Sequence, residues 1–361
     1  MPPTWPSTPT AMPERLAVGI DIGGTKIAAG VVDEDGRILA RRRRLTPSTD
    51  AELVLTAIAE LTEELRDEHP VKAVGIGAAG FIDESQSTVM FSPHLAWRNE
   101  PLRDRVARRT RLPVLVDNDA NTSAWAEWRF GAAQNVPDVV TVTLGTGIGG
   151  AIVIDGQPYR GAHGMAGEFG HQQVVPGGIL CECGNRGCWE QYASGRVLSR
   201  RAAAEVAAGT PAGGRLVELA RLDHPTVGTA DVLVDGTHVT RLAAAGDATA
   251  VEWIAEVGHW LGIGLANLSA SIDPGLFVIG GGVSDADEML LAPARAAHAD
   301  QLVGRGFRSE ARIVRAHLGP DAGLVGAADM ARIRARRRRP ANPAGRARVA
   351  ARTGRSPRRR R

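Results

Sequence analysis

One pattern occurs twice in this chain: a short apolar strand, a glycine-rich hairpin, a return strand and an Asp-Gly turn. The first copy occupies residues 16–36 around Asp21-Ile-Gly-Gly-Thr25, and the second occupies residues 139–156 around Gly145-Thr-Gly-Ile-Gly-Gly150. Such a repeat predicts two related lobes that face one cleft, each presenting a glycine hairpin to a shared ligand. The length of 361 residues is sufficient for two lobes.

Glycine hairpins suit phosphate, because backbone N–H groups hold phosphate oxygens and only glycine lets the backbone approach so closely. Asp21 follows an apolar strand, where its carboxylate is placed to hold hydrated Mg²⁺, and Thr25 adds a hydroxyl donor. Neither hairpin matches the Walker pattern or the dinucleotide-binding fingerprint, so a P-loop or Rossmann mode of binding is not expected. The predicted nucleotide contacts in the two hairpins are Asp21, Gly23, Gly24, Thr25, Lys26, Gly145, Thr146 and Gly147.

A polar run, Asp117-Asn-Asp-Ala-Asn121, follows the predicted buried strand 114–116. The carboxyl end of a strand is where α/β proteins place ligands. A kinase that acts on an alcohol needs a carboxylate to accept the hydroxyl proton during phosphoryl transfer, and Asp119 fits that role. Asn118 is then placed to bind neighbouring sugar hydroxyls. The same residues also fit an Asx-rich turn that caps a helix starting at Asn121.

The three cysteines, Cys181, Cys183 and Cys188, lie within eight residues and follow His171 in the pattern His-x₉-Cys-x-Cys-x₄-Cys. An odd, crowded set in a chain without an export signal argues against a disulfide framework. Three thiolates and one imidazole form a closed tetrahedral set, which is typical of structural zinc, whereas catalytic zinc keeps an open position. The alternative is a group of inert buried thiols. The carboxylates Glu168 and Glu190 flank this predicted metal site.

The net charge of +3 conceals an uneven distribution. Residues 332–361 contain 14 arginines and no acidic residue, so the rest of the chain has 29 basic and 40 acidic residues. An acidic body with 4% aromatic residues disfavours a nucleic-acid-binding surface. The leader lacks an apolar signal-peptide core, and no apolar stretch is long enough to span a bilayer, so we expect a cytoplasmic protein.

Apolar periodicity predicts alternating strands and helices, and therefore an α/β fold. The predicted strands are 16–20, 27–32, 37–45, 71–78, 114–116, 139–144, 151–154 and 276–279. The predicted helices are 50–68, 101–110, 251–271 and 324–333.

Taken together, these motifs resemble those of the ROK family (repressors, open reading frames and kinases), and within it the zinc-containing glucokinases of actinobacterial type. The resemblance covers residues 16–333. The motifs that carry it are Asp21-Ile-Gly-Gly-Thr25, Asp117-Asn-Asp-Ala-Asn121, Leu144-Gly-Thr-Gly-Ile-Gly-Gly150, Gly167-Glu-Phe-Gly-His171 and Cys181-Glu-Cys-Gly-Asn-Arg-Gly-Cys-Trp-Glu190.

The resemblance implies a two-lobed, actin-like ATPase fold of the ribonuclease-H-like type, with a structural zinc loop at 171–188. The implied organisation is a disordered leader at 1–14, a small lobe at 15–122, a large lobe at 123–312, a segment at 313–333 that packs back on the small lobe, and a disordered arginine-rich tail at 334–361. By the same analogy, these kinases form homodimers or homotetramers.

The resemblance also implies ATP-dependent phosphorylation of the 6-hydroxyl of glucose, with ATP, Mg²⁺ and structural Zn²⁺ as cofactors. Asp119 would be the base, and one ring nitrogen of His171 would bind zinc while the other faces the sugar. Gly280 and Gly281 would lie near the adenosine. The implied sugar contacts are Gly80, Asn118, Asp119, Glu168, His171 and Glu190, and the implied zinc ligands are His171, Cys181, Cys183 and Cys188.

Three alternatives remain open at the level of sequence. Kinases for N-acetylmannosamine, N-acetylglucosamine or fructose share these motifs, although resemblance along the chain, including Ser92-Pro-His-Leu-Ala-Trp97, favours glucose. Polyphosphate could replace ATP, but the polyphosphate glucokinases of the family lack the cysteine cluster. A ROK transcriptional repressor is disfavoured, because only 20 residues precede Asp21 where repressors carry a helix-turn-helix domain.

Overall fold

The computed structural model describes residues 16–223 and 233–337. Two five-stranded sheets form the framework. The first sheet consists of β1 (Ala17–Ile22), β2 (Lys26–Val32), β3 (Ile38–Leu45), β4 (Val74–Ala78) and β8 (Val114–Asn118). The second consists of β9 (Val139–Leu144), β10 (Ile148–Ile154), β11 (Gln157–Tyr159), β12 (Leu276–Gly280) and β13 (Arg312–Arg315). A small sheet is formed by β5 (Phe81–Ile82), β6 (Val89–Phe91) and β7 (Arg98–Glu100).

The two large sheets have the same topology. Their strand orders are β3-β2-β1-β4-β8 and β11-β10-β9-β12-β13. In each sheet the first three strands form an antiparallel meander and the remaining two are parallel to the central strand. The hairpin predicted from each glycine motif joins the first two strands of its sheet. The predicted duplication of an α/β unit is therefore confirmed.

Helices cover both sheets and account for most of the remaining chain. Their bounds are α1 (Ala51–Glu68), α2 (Leu102–Thr110), α3 (Asp119–Phe130), α4 (Gly195–Ala207), α5 (Pro211–Asp223), α6 (Gly236–Ala244), α7 (Ala248–Ile272), α8 (Glu288–Gln301) and α9 (Ala322–Arg337). The side chain of Asp50 caps α1 by accepting the N–H groups of Glu52 and Leu53, as expected for an acidic N-cap. Within the described residues, no helix is long and apolar enough to cross a membrane.

The C-terminal helix α9 packs on the first sheet, although it follows the last strand of the second. Glycines make this contact possible, because a Cβ at Gly19 or Gly75 would collide with the backbone of Leu324 or Ala327. A helix and a sheet that approach so closely exclude water from the apolar residues beneath them. Helix α9 thus fixes β1, which carries Asp21, and β4, which pairs with the strand that carries Asp117.

Three predicted boundaries differ from the structure. The segment predicted from residue 313 begins inside β13, which pairs with β12 and belongs to the second sheet. The boundary predicted between residues 122 and 123 falls inside α3. The predicted tail begins at 334, yet α9 continues to Arg337, because Arg334 donates to Gln86 Oε1 (2.9 Å) and Arg336 to Glu34 Oε2 (2.7 Å). The leader at 1–14 and residues 338–361 lie outside the described residues.

Candidate active site and metal centre

Asp119 stands where β8 ends and α3 begins, in the cleft between the two sheets. It lines a cavity of about 380 Å³ together with Asp21 from the first sheet and Gly280 and Gly281 from the second. Residues from both halves of the duplicated fold therefore meet around one carboxylate. This arrangement agrees with the predicted shared cleft, and it brings the predicted base next to the predicted Mg²⁺-binding carboxylate.

Asn118 caps α3 and also contacts Gly80. Its Oδ1 accepts the N–H groups of Ala120 (2.8 Å) and Asn121 (3.3 Å), and its Nδ2 donates to the Gly80 carbonyl (3.1 Å). The helix accordingly begins at Asp119, two residues earlier than the predicted Asn121. The predicted Asx cap is therefore confirmed, and it fixes the backbone that carries Asp119. One N–H of Asn118 Nδ2 remains for another acceptor, and the predicted roles of Asp119 and Asn118 in catalysis and sugar binding stay predictions.

The carboxylates in the cleft are electrostatically coupled. Burial raises the pKa of Asp119, against the opposing effect of the Ala120 N–H that its carboxylate accepts. Burial, together with the charge of Asp119, raises the pKa of Asp21 to about 7, and Lys26 opposes this shift. Burial and the charges of Asp119 and Glu190 also raise the pKa of Glu168. A site that concentrates negative charge in this way is suited to proton acceptance and to binding a cation.

The first glycine hairpin lies beneath a histidine that sequence analysis did not assign. The hairpin is closed by the Gly23 N–H, which donates to the Lys26 carbonyl at 3.1 Å. A Cβ at Gly24 would lie 2.9 Å from the Cβ of His94, so the loop that carries His94 sits directly against the hairpin. The charge of His94 also lowers the pKa of Asp119. Thr25 and Lys26 are exposed. The only signal for His94 in the sequence was its place in the segment 92–97.

The second glycine hairpin opens onto a cavity of its own. This space of about 380 Å³ is lined by Gly145 and Thr146, and also by Gly282 and the first turn of α4. Gly281 has a φ of 82°, and a Cβ there would meet the Leu144 backbone at 2.5–2.7 Å, so only glycine fits between β12 and this hairpin. Four of the five predicted nucleotide contacts of the second lobe therefore line two adjoining spaces, namely Gly145, Thr146, Gly280 and Gly281. The fifth, Gly147, lies against Glu190 instead.

His171, Cys181, Cys183 and Cys188 converge on one point. Their ligand atoms all lie within 4.8 Å of one another. Cys181 Sγ is 3.7 Å from His171 Nδ1, and Cys183 Sγ is 3.6 Å from Cys188 Sγ. Tetrahedral zinc with bonds of about 2.0–2.3 Å would separate its ligand atoms by roughly 3.5–3.8 Å, so this donor set fits the ion. All three cysteines are free.

Glu190 connects this metal-ligating group with the second hairpin. Its Oε1 lies 3.0 Å from Cys181 Sγ and 3.7 Å from His171 Nδ1. Its Oε2 accepts the Ile148 N–H at 3.4 Å and lies so close to Gly147 that any side chain there would displace it. Since His171 Nδ1 faces the thiols, its Nε2 remains for another partner. Glu190 thus contacts two features that the sequence predicted separately, the Cys₃His group and the second glycine hairpin.

An ion pair near the predicted base was missed by sequence analysis. Asp117 accepts Asn121 Nδ2 (2.9 Å) on one carboxylate oxygen, and Arg160 Nε (2.8 Å) and Gln86 Nε2 (2.7 Å) on the other. Arg160 follows β11 of the second sheet, so this pair ties the two halves of the fold together two residues from Asp119. Nothing local in the sequence indicated that Arg160 would reach Asp117.

Comparisons with known proteins agree with this geometry. The chain is 48% identical over 317 residues to a glucokinase of Streptomyces coelicolor, which covers 88% of this chain and 98% of the relative. The crystal structure of a ROK family glucokinase from Streptomyces griseus in complex with glucose and AMPPNP has a TM-score of 0.78 and 48% identity, covering 88% of this chain and 99% of that one. A ROK hexokinase from Thermus thermophilus has a TM-score of 0.70 and 35% identity, covering 89% and 99%.

The family model described as the ROK family matches residues 17–334, almost the range over which the motifs predicted a resemblance. The match spans both glycine hairpins, Asp119 and the Cys₃His group. The predicted two-lobed, actin-like α/β fold with a Cys₃His loop is confirmed. The chain belongs to the ROK family.

Proposed function

We propose that this protein is a glucokinase that transfers the γ-phosphoryl group of ATP to the 6-hydroxyl of glucose, with Asp119 as the general base. The observation that carries the proposal is the position of Asp119, which lies in the cleft shared by both lobes and beside Asp21, Gly280 and Gly281. The similarity to a glucokinase described with glucose and AMPPNP supports the choice of sugar and donor.

In this mechanism Asp119 accepts the proton of the 6-hydroxyl while the sugar oxygen attacks the γ-phosphorus. The pKa of Asp119 is raised by burial, which makes its ionised form a stronger base than an exposed aspartate. Asn118 holds the start of α3 in place, so the carboxylate stays aligned with the hydroxyl. The two glycine hairpins would hold the phosphates from opposite sides. Mg²⁺, bound with the nucleotide near Asp21, would supply charge neutralisation of the phosphates.

The sugar hydroxyls would be recognised by Glu168, Glu190 and His171 on the second lobe, with Asn118 and Gly80 on the first. The charges of Asp119, Glu190 and His171 all act on Glu168, which supports a common site for these groups. Zinc held by His171 and the three cysteines would fix the loop and leave His171 Nε2 and the Glu190 carboxylate in fixed positions. Rigid acceptors of this kind lower the entropy cost of binding a polyhydroxylated ligand.

A coupled ADP-release assay on the full-length protein tests the proposal. Glucose, mannose, fructose, N-acetylglucosamine and N-acetylmannosamine are compared as acceptors, with 6-deoxyglucose as a control that lacks the acceptor hydroxyl. We expect the highest kcat/KM for glucose and no turnover of 6-deoxyglucose. Preference for an N-acetylhexosamine would reassign the substrate. Formation of sugar 6-phosphate from polyphosphate without ATP, measured directly because polyphosphate releases no ADP, would reassign the donor. Absence of any sugar-dependent ADP release would refute the proposal.

A further inference from the structure

Arg196 is a charged residue in the predicted nucleotide region that the hairpin motifs do not include. It lies in the first turn of α4 and lines the cavity of about 380 Å³ that Gly145 and Thr146 also line. Hydroxyl groups of Ser199, Thr237 and Thr240 line the same space. The carboxylate of Asp235 also lines it, but it caps α6 by accepting the N–H groups of Thr237 and His238. A cavity that joins a glycine hairpin, several hydroxyls and one guanidinium has the chemistry of a site for a phosphorylated polar ligand.

The backbone fixes Arg196 beside the hairpin. The N–H of Gly195 donates to the Gly145 carbonyl at 2.8 Å, so α4 begins in direct contact with the first residue of the hairpin. A Cβ at Gly195 would lie 2.8 Å from that same oxygen, so a larger residue would push the helix away. The position of Arg196 relative to the hairpin is therefore set by main-chain contacts and does not depend on a flexible loop.

The side chain of Arg196 is also held by Glu182, which belongs to the predicted metal loop at 171–188. Its Nη1 pairs with Glu182 Oε1, and its Nη2 lies 3.1 Å from Glu182 Oε2. Glu182 stands between the ligands Cys181 and Cys183. A two-point pair restricts the guanidinium to one plane and leaves further N–H groups for another acceptor, since arginine has five. Arg196 keeps 28% of its side chain exposed, so it remains accessible.

We propose that Arg196 binds the phosphate chain of the nucleotide and that Glu182 positions it for this role, so that the metal loop serves the nucleotide site as well as the sugar site. This inference rests on the proposed kinase function. A planar guanidinium is suited to phosphate oxygens because two parallel N–H groups can engage them. The hairpin and Arg196 would then hold the phosphates from two directions.

The test measures binding of ATP, ADP and adenosine in the presence of Mg²⁺ by titration calorimetry, using the full-length protein. Arg196→Ala should weaken ATP and ADP binding about 10- to 100-fold, the range for a lost hydrogen bond to a charged group. Adenosine and glucose affinities should change less than about twofold. Arg196→Lys should recover part of the loss, because it restores the charge without the planar fork.

Arg201→Ala is the matched control. Arg201 lies in the same helix and pairs with Glu256 at 2.5 Å, with similar exposure, but it does not line the cavity. We expect Arg201→Ala to bind ATP and ADP with wild-type affinity. Glu182→Gln should weaken ATP binding in the wild-type background and have no effect in the Arg196→Ala background, because Glu182 acts through Arg196.

Three results would overturn the inference. Unchanged affinity for both ATP and ADP in Arg196→Ala would exclude a phosphate contact, and an equal loss of adenosine affinity would move Arg196 to the base or ribose. A parallel loss of glucose affinity and bound metal would mean that Arg196 only braces the loop. Failure of the proposed function would appear separately, as a wild-type protein that releases no ADP with glucose while still binding nucleotide.

Discussion

Gly147 and Gly145 belong to the same hairpin but should respond differently to the same substitution. A Cβ at Gly147 would overlap Glu190 Oε2, whereas a Cβ at Gly145 would meet nothing within 4 Å. Neither glycine has a positive φ, so alanine introduces no backbone strain at either position. The pair therefore isolates one contact, the one between the second hairpin and Glu190.

The size of the effect follows from the displacement of Glu190. Non-bonded atoms pack at roughly 3.5 Å, so Gly147→Ala must move the Glu190 carboxylate by about 1 Å. This shift breaks the contact with the Ile148 N–H and moves Oε1 away from Cys181. Under the proposed function, the displaced carboxylate also loses its hydrogen bond to a sugar hydroxyl. One lost hydrogen bond to a charged group costs about 1.5–3 kcal/mol, which corresponds to roughly 10- to 100-fold weaker glucose binding.

Titration calorimetry with glucose measures this effect directly. Gly147→Ala should bind glucose about 10- to 100-fold more weakly than the wild type. Gly145→Ala should retain wild-type glucose affinity. Any effect of this substitution should be a higher KM for ATP, because Gly145 lines the predicted nucleotide cavity. In a Glu190→Gln background, Gly147→Ala should weaken glucose binding little further. Wild-type glucose affinity in Gly147→Ala, or equal losses in both glycine variants, would refute the assigned role of Glu190.

Two further predictions concern the metal and the cleft carboxylates. Metal analysis should find about one zinc per chain. Cys183→Ser should lose both the metal and its affinity for glucose. An active enzyme without metal would contradict the assignment of His171 and the three cysteines as zinc ligands. kcat/KM for glucose should fall as the pH drops through about 7, the raised pKa of Asp21. Below that pH Asp21 is protonated and no longer attracts a cation. The pKa of Asp119 is also raised, so an increasing share of Asp119 already carries a proton and cannot accept the one from the sugar. A constant kcat/KM down to pH 5.5 would contradict this assignment.

Sequence alone predicted the features that depend on local pattern. The duplicated hairpins followed from glycine spacing, and α1, α2, α7 and β9 followed from apolar periodicity, with ends within a few residues of those observed. The Cys₃His group followed from ligand types and spacing, since a metal site needs particular donors at particular separations. Each of these features is encoded within a short stretch of chain.

Features that depend on contacts between distant segments were not predicted. β13 has only four residues with arginine at both ends, so its pairing with β12 leaves little apolar signal. Arg160 reaches Asp117 across 43 residues, and Arg196 reaches Glu182 from another element. Such pairs become visible only once the chain is folded, because an arginine on its own is most often a solvated surface residue.

The central claim is that the carboxylate of Asp119 accepts the proton of a glucose hydroxyl. The most direct measurement is the ADP-release rate of Asp119→Asn at saturating glucose and ATP, with glucose binding followed separately by calorimetry and exposed Asp104→Asn as control. We predict a kcat at least 100-fold below the wild type, since general-base catalysis contributes about 10²–10⁴-fold, with glucose still bound and the control unaffected. A folded variant that turns over glucose at close to the wild-type rate would contradict it.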